Sequence, residues 1–190
     1  MTKDAIEANG GTDRCTTSLP ISQSTGNVRA VAIGEIATSD APNDVLVAYG
    51  LGSCVAICLY DPVAQAGGML HALLPTAPDK SKTRENRPKF VDEGVPMLLE
   101  ALSRLGVKRH RLTVRLCGGA DVLSALSLNG TSSIGKRNVL AAEAALLAAG
   151  LKVQAQATRG NIGRTVKLHI SNGLVTVRSL GHAEQALEIP

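Results

Sequence analysis

Two apolar runs decide the fold of this chain: Val55-Ala56-Ile57-Cys58-Leu59-Tyr60, and Gly67-Gly68-Met69-Leu70-His71-Ala72-Leu73-Leu74. Both runs are typical of buried strands, because apolar and β-branched residues fill them without a polar alternation. Between them, Asp61-Pro62 favours a turn, since Asp bonds its own backbone and Pro fixes φ. The stretch therefore predicts an antiparallel hairpin.

The register of this hairpin decides which side chains meet. If the loop is Asp61 to Ala64, Tyr60 lies opposite Gln65, and counting back along both strands places Cys54 directly opposite His71. Directly opposed residues share a face, with Cβ atoms roughly 4.5–5.5 Å apart, so an imidazole reaches a thiol. A shift of one residue on one strand would place the two side chains on opposite faces.

The segment before the hairpin, Gly50-Leu51-Gly52-Ser53-Cys54, supplies a candidate site. Cys54 is a candidate nucleophile and His71 a candidate base, and a nearby imidazole is expected to lower the pKa of the thiol. Glycines allow close approach and unusual backbone angles, so the N–H groups of Gly52 and Ser53 are candidates for an oxyanion hole.

Spacing alone leaves a second interpretation open, in which Cys54 and His71 are buried core residues without a catalytic role. Cys58 lies on the same face, deeper in the hairpin, and is interpreted as core. Cys117 ends a predicted strand on its polar face, and no role is expected for it.

Composition limits the classes of function. A chain of 190 residues with 44% hydrophobic residues suits one domain, here predicted over 28–190 after a disordered polar tail over 1–27. No run approaches the roughly 20 apolar residues of a membrane span, no secretory signal is visible, and a cytoplasmic location is expected. Four scattered cysteines favour free thiols, with no metal or cofactor. A net charge of +4 with 2% aromatic residues does not favour nucleic-acid binding.

The remaining pattern predicts an α+β fold, a layered mixed α/β sandwich with helices packed outside the sheets. Asn172-Gly173 predicts a type I′ hairpin turn. Besides the hairpin runs, strands are predicted over 28–38, 45–49, 111–117, 151–158, 165–170 and 174–180, and helices over 92–105 and 136–149.

The chain resembles the chemoreceptor glutamine deamidase family, CheD, from about Val28 to Ile189. The resemblance includes the segment 50–62 and the run 67–75 quoted above. It also includes Phe90-Val91-Asp92, Cys117-Gly118-Gly119-Ala120, Ile134-Gly135-Lys136-Arg137-Asn138, Gly163-Arg164-Thr165-Val166, and Val177-Arg178 to Glu184-Gln185.

The resemblance implies an amidohydrolase that converts particular glutamines of methyl-accepting chemotaxis receptors to glutamate, with Cys54 as nucleophile and His71 as base. It also implies a fold related to bacterial toxin deamidases and binding to a CheC-type phosphatase. One position departs from the family pattern: Ala48 stands where the family carries a Thr, so either Ser53 or a backbone carbonyl replaces it in orienting the imidazole, or activity is reduced. Two rival functions remain, an adaptor for receptors or a CheC-type partner, and a Cys–His hydrolase with another substrate.

Overall fold

The structure is a computed structural model that describes residues 27–78, 84–122 and 133–189. The predicted tail lies outside the described residues except for Asn27, which begins the first strand. The strands are β1 (Asn27–Ala30), β2 (Glu35–Ser39), β3 (Asp44–Leu51), β4 (Val55–Asp61), β5 (Ala66–Ala72), β6 (Thr113–Gly118), β7 (Ala155–Thr158), β8 (Arg164–His169), β9 (Val175–Ser179) and β10 (Gln185–Ala186). The helices are α1 (Val91–Ser103) and α2 (Ile134–Ala148).

The strands form two five-stranded sheets. The outer sheet has the order β1-β3-β8-β9-β10, and the middle sheet has the order β2-β5-β4-β6-β7. One apolar core lies between the middle sheet and the two helices, and a second lies between the two sheets. The three layers are therefore helices, middle sheet and outer sheet, which confirms the predicted α+β layered sandwich.

The β4–β5 hairpin lies at the centre of the middle sheet, and all of its strand residues are buried. Val55, Ile57 and Leu59 face the helices, whereas Ala56 and Cys58 face the outer sheet. A strand covered on both faces needs no polar positions, which explains its continuous apolar sequence.

The predicted register of this hairpin is wrong, because the loop lies one residue further along the chain. Asp61 pairs with Ala66, so the loop is 62–65, and His71 lies opposite Ala56 instead of Cys54. Moving the loop by one residue along both strands changes the partner of His71 by two positions. Because side chains alternate with a period of two, the corrected register still predicts that Cys54, which directly precedes β4, shares the face of His71.

The predicted strand over 28–38 is two strands in different layers. β1 pairs with β3 in the outer sheet, and β2 pairs with β5 in the middle sheet. Gly34, with φ +79°, stands in the connection where the chain crosses between the sheets. A φ in this region is accessible to glycine without steric cost.

Three other predicted features need correction. The strand predicted over 151–158 is limited to its last four residues. A type I′ turn needs a positive φ at both central residues, but only Gly173 has one and Asn172 does not, so the predicted type I′ turn is wrong. Gly173 N donates to the carbonyl oxygen of His169, which closes a longer loop. Cys117 is fully buried between the sheets, because the outer sheet covers the face of β6 that was predicted to be polar.

Both predicted helices are present, with bounds that differ by one or two residues. In α2, the buried face holds Asn138, Val139, Ala142 and Leu146, whereas Leu147 is 74% exposed. Within the described ranges, neither helix combines the length and the apolar character that crossing a membrane requires.

Candidate active site

The Cys54 turn, Gly52 to Cys54, connects β3 to β4, and each of its three carbonyl groups accepts a hydrogen bond. Gly52 O accepts from Ala120 N at 2.7 Å, and Cys54 O accepts from Gly119 N at 2.7 Å. Ser53 O accepts from the side-chain Nδ2 of Asn138 at 2.8 Å. The loop after β6 and helix α2 thus fix the backbone that presents the thiol.

The N–H groups of the same turn differ in their partners. Those of Gly52 and Ser53 form no hydrogen bond with any residue in the described ranges. The N–H of Cys54 interacts with its own thiol and acts to lower the thiol pKa. Backbone N–H groups without an acceptor are the kind of donor from which an oxyanion hole is built.

His71 enters from β5, where it is 2% exposed. Its Nδ1 lies 2.9 Å from the carbonyl oxygen of Val31. Because a carbonyl only accepts, the proton is assigned to Nδ1, and Nε2 of the neutral ring carries the lone pair. This is the tautomer that a base acting through Nε2 must have.

The Nε2 atom is buried and has no hydrogen-bond partner within the part of the chain that the structure describes. The Cys54 thiol and His71 Nε2 therefore do not form a hydrogen bond in this structure. Catalytic hydrogen bonds are often long or misaligned in a free enzyme and tighten when substrate binds.

Burial controls the protonation of both side chains. It raises the pKa of the Cys54 thiol above the ordinary 9.0, and this effect outweighs the opposing backbone N–H. Burial also lowers the pKa of His71 below 6.5, although the bond to Val31 and the charge of Glu35 oppose it. At neutral pH the resting pair is a thiol and a neutral imidazole, so the expectation that the imidazole lowers the thiol pKa is wrong for this state.

Ala48 is fully buried between the sheets and has no hydroxyl to offer the imidazole. Of the two alternatives left by the sequence, the structure shows a backbone carbonyl on the ring, that of Val31. The turn carrying this carbonyl is closed by Glu35, whose Oε2 accepts from Ala32 N at 3.0 Å. Glu35 is also the β2 residue directly opposite His71.

The other two cysteines in the described ranges are unsuited to nucleophilic attack. Burial raises the pKa of Cys117 to about 12, and it raises that of Cys58 well above 9.0. Both side chains lie between the two sheets, and Cys58 is 2% exposed. The prediction that Cys58 is a core residue is confirmed.

Sequence reasoning missed Val31 and Asn138 as parts of the site. The Val31 carbonyl could not be found from residue type, because every residue has one. Asn138 left a signal, since it shares the buried face of α2 with Ala142 and Leu146 at intervals of four. A polar residue on an apolar helix face needs buried partners.

Comparison with known proteins identifies the family of this chain. A family profile described as "CheD chemotactic sensory transduction" matches residues 73–179. The chain belongs to the CheD family. A probable chemoreceptor glutamine deamidase CheD from Symbiobacterium thermophilum is 40% identical over 161 residues, covering 84% of this chain and 97% of the relative.

A second CheD relative, the chemoreceptor glutamine deamidase CheD from Thermotoga maritima, is 40% identical over 161 residues, or 85% of this chain and 97% of its own length. An alignment of this length within 190 residues necessarily includes both Cys54 and His71.

Among solved structures, the hypothetical protein YfiH from Bacillus licheniformis covers 72% of this chain and 60% of its own, at 14% identity and a TM-score of 0.40. A likeness of that size carries no argument about function.

Proposed function

We propose that this protein hydrolyses the side-chain amide of particular glutamines in methyl-accepting chemotaxis receptors, giving glutamate and ammonia. The observation that carries the proposal is His71 Nε2, whose lone pair has no hydrogen-bond partner among the described residues and which lies on β5, the strand paired with the one that directly follows Cys54. Membership of a family whose curated relatives are named chemoreceptor glutamine deamidases supports the choice of substrate.

The first half of the reaction forms a thioester. Because the resting pair is neutral, His71 Nε2 removes the thiol proton as Cys54 Sγ attacks the carboxamide carbon. The N–H groups of the Cys54 turn stabilise the tetrahedral oxyanion. When the intermediate collapses, the C–N bond breaks, and the imidazolium returns its proton to the departing ammonia.

The second half regenerates the enzyme. His71, neutral again, takes a proton from water as the water oxygen attacks the thioester carbon. The C–S bond then breaks, the sulfur recovers the proton from the imidazolium, and glutamate leaves. The Val31 carbonyl holds Nδ1–H throughout, so Nε2 keeps its direction while it accepts and returns a proton in each half of the reaction.

The test is incubation with a receptor cytoplasmic fragment, followed by mass spectrometry for replacement of an amide NH2 by OH at glutamine. Cys54→Ala should abolish conversion, and His71→Asn should slow it on the order of 10²–10⁴-fold. Cys58→Ala is the matched control, because it removes a buried thiol from the same face of β4 and should retain activity. Full conversion by Cys54→Ala would refute the assignment.

A CheC-type phosphatase remains a proposed partner, and the same variant separates an adaptor from an enzyme. An adaptor would support chemotactic signalling equally well with Cys54→Ala, whereas a deamidase would not. Pull-down of a CheC-type protein by the wild type and by Cys54→Ala measures partner binding independently of catalysis.

A further inference from the structure

Asn138 joins the two strand ends that carry the candidate catalytic pair. Its Nδ2 donates to the carbonyl oxygens of Ser53 and Leu73, each at 2.8 Å. Ser53 directly precedes Cys54, and Leu73 follows His71 by two residues. A single carboxamide from α2 therefore uses both of its N–H donors to link the start of β4 to the end of β5.

Burying the Asn138 amide with an unpaired oxygen is unfavourable, which indicates that its hydrogen bonds to Ser53 and Leu73 are important. Asn138 is fully buried, and its Oδ1 has no partner in the described ranges. An unsatisfied buried acceptor typically destabilises a fold. An apolar residue on this helix face, like its neighbours Val139 and Ala142, would avoid that cost but could not hold the two carbonyls.

The helix that carries Asn138 is itself held against the loop supporting Cys54. A Cβ added to Gly135 would lie 2.6 Å from Gly119 O and 2.8 Å from Ala120 O. Gly119 and Ala120 are the residues whose N–H groups hold Cys54 O and Gly52 O. Helix α2 and this loop therefore form one support for all three carbonyls of the Cys54 turn.

We infer that Asn138 is a positioning residue for the reaction, fixing the Cys54 turn relative to the end of β5 that bears His71. This inference rests on the proposed function. It places Asn138 behind the backbone, acting through the positions of Cys54 and His71. Loss of the link should lower kcat more than it changes KM, because a displacement of about 1 Å at the reacting groups costs on the order of 10²-fold in rate.

The experiment compares Asn138→Ala and Asn138→Asp with Leu146→Ala. The Asp variant keeps the shape of the side chain but replaces both donors by acceptors. Leu146 lies on the same helix and is fully buried, so its truncation lowers stability without touching the Cys54 turn. All variants are assayed at a temperature where circular dichroism shows that they are folded.

We expect both Asn138 variants to lose on the order of 10²-fold in kcat with KM nearly unchanged, while Leu146→Ala retains the wild-type kcat. A kcat for the Asn138 variants equal to that of the wild type, or a loss matched by Leu146→Ala, would overturn the inference.

Alkylation of Cys54 separates failure of this inference from failure of the proposed function, since it needs no receptor. Iodoacetamide labelling is followed at the Cys54 peptide by mass spectrometry. If Asn138 fixes the turn, its variants should label Cys54 faster than the wild type and Leu146→Ala, because the released thiol gains access to water. Equal labelling rates would overturn the inference even if the wild type shows no deamidase activity.

Discussion

At the scale of single residues, the proposed mechanism depends on the protonation of His71. The Val31 carbonyl fixes the proton on Nδ1, and burial keeps the ring neutral at physiological pH. A buried thiol with a raised pKa needs such a base, because little thiolate is present before substrate arrives. The site thus resembles a base-assisted hydroxyl nucleophile more than a preformed thiolate–imidazolium pair.

The pH dependence of deamidation should report this arrangement. The base must be neutral, and its pKa is lowered, so the rate should rise with pH through a midpoint below 6.5 and reach a plateau near neutrality. Labelling of Cys54 by iodoacetamide should have its midpoint above 9.0, because burial raises the thiol pKa. A labelling midpoint well below 9.0 would contradict the neutral resting pair.

A substitution at Glu35 tests whether the pKa of His71 controls the deamidation rate. Its charge acts to raise the pKa of His71, so Glu35→Gln should move the acidic midpoint of the deamidation rate to still lower pH. The amide oxygen of Gln can replace Oε2 as acceptor for Ala32 N, which leaves the turn intact. Glu100→Gln, at an exposed ion pair on α1, is the control and should leave the midpoint unchanged.

At this scale the sequence predicts the candidate pair but not the groups that support it. Cys54 and His71 stand out by residue type, and counting along two strands predicts that they share a face. The Val31 carbonyl is invisible in a sequence, because its place opposite Nδ1 arises only when β1 and β2 enter different sheets. Asn138 is visible only as a polar residue on an apolar helix face.

At the scale of elements, the central hairpin shows why a wrong register still gave a useful prediction. The loop moved by one residue on both strands, from 61–64 to 62–65. The partner of His71 then changed by two, which preserves the face. Asp61 explains the shift: its carboxylate accepts from the N–H groups of Val63 and Ala64, so it closes the hairpin as the last paired residue.

The close approach of β6 to the Cys54 turn predicts a sensitive glycine. A Cβ on Gly118, where φ is +101°, would lie 2.2 Å from Cys54 O. Gly118→Ala should therefore displace the Cys54 turn, lower the melting temperature and reduce deamidation by at least about 10²-fold. Single-turnover assays and thermal unfolding measure the two effects.

Gly106→Ala is the matched control for Gly118→Ala. Gly106 also has a positive φ, +74°, but a Cβ added there meets nothing within 4 Å. The control therefore carries the backbone strain, of about 1 kcal/mol, without the clash, and its deamidation rate should equal that of the wild type. Equal activity of both variants would contradict the idea that Gly118 maintains the turn.

At the scale of the whole molecule, the site depends on all three layers. His71 comes from the middle sheet, Cys54 lies in the turn between the outer and middle sheets, Val31 follows the first strand of the outer sheet, and Asn138 comes from the helical layer. The sequence predicted both helices and the layered class from apolar periodicity. It could not predict how the layers meet, because contacts between distant segments leave no local pattern.

Away from the site, an ion pair between a buried carboxylate and a partly exposed guanidinium joins the hairpin to the segment that leads into β6. Arg111 Nη2 donates to Asp61 Oδ2 at 2.6 Å, and Lys108 N donates to the same oxygen at 2.9 Å. Burial acts to raise the pKa of Asp61, but the Arg111 guanidinium and the backbone donors outweigh it and lower the pKa from 3.8 to about 2. Since the carboxylate is favoured in the folded state, it stabilises the fold above pH 3.8, and this contribution is lost as pH falls towards 2.

Asp61→Ala should therefore lower the free energy of unfolding at neutral pH by about 3 kcal/mol, because it leaves the Arg111 charge and several donors without their acceptor. Urea unfolding across a pH series measures the loss, and the gap between wild type and variant should narrow as pH falls from 3.8 towards 2. Glu100→Ala, which breaks an exposed pair with Arg104, should cost less than about 1 kcal/mol. A gap for Asp61→Ala that stays constant over the acidic range would show that the carboxylate charge is not what joins the hairpin to this segment, and that the loss comes from the missing side-chain volume instead.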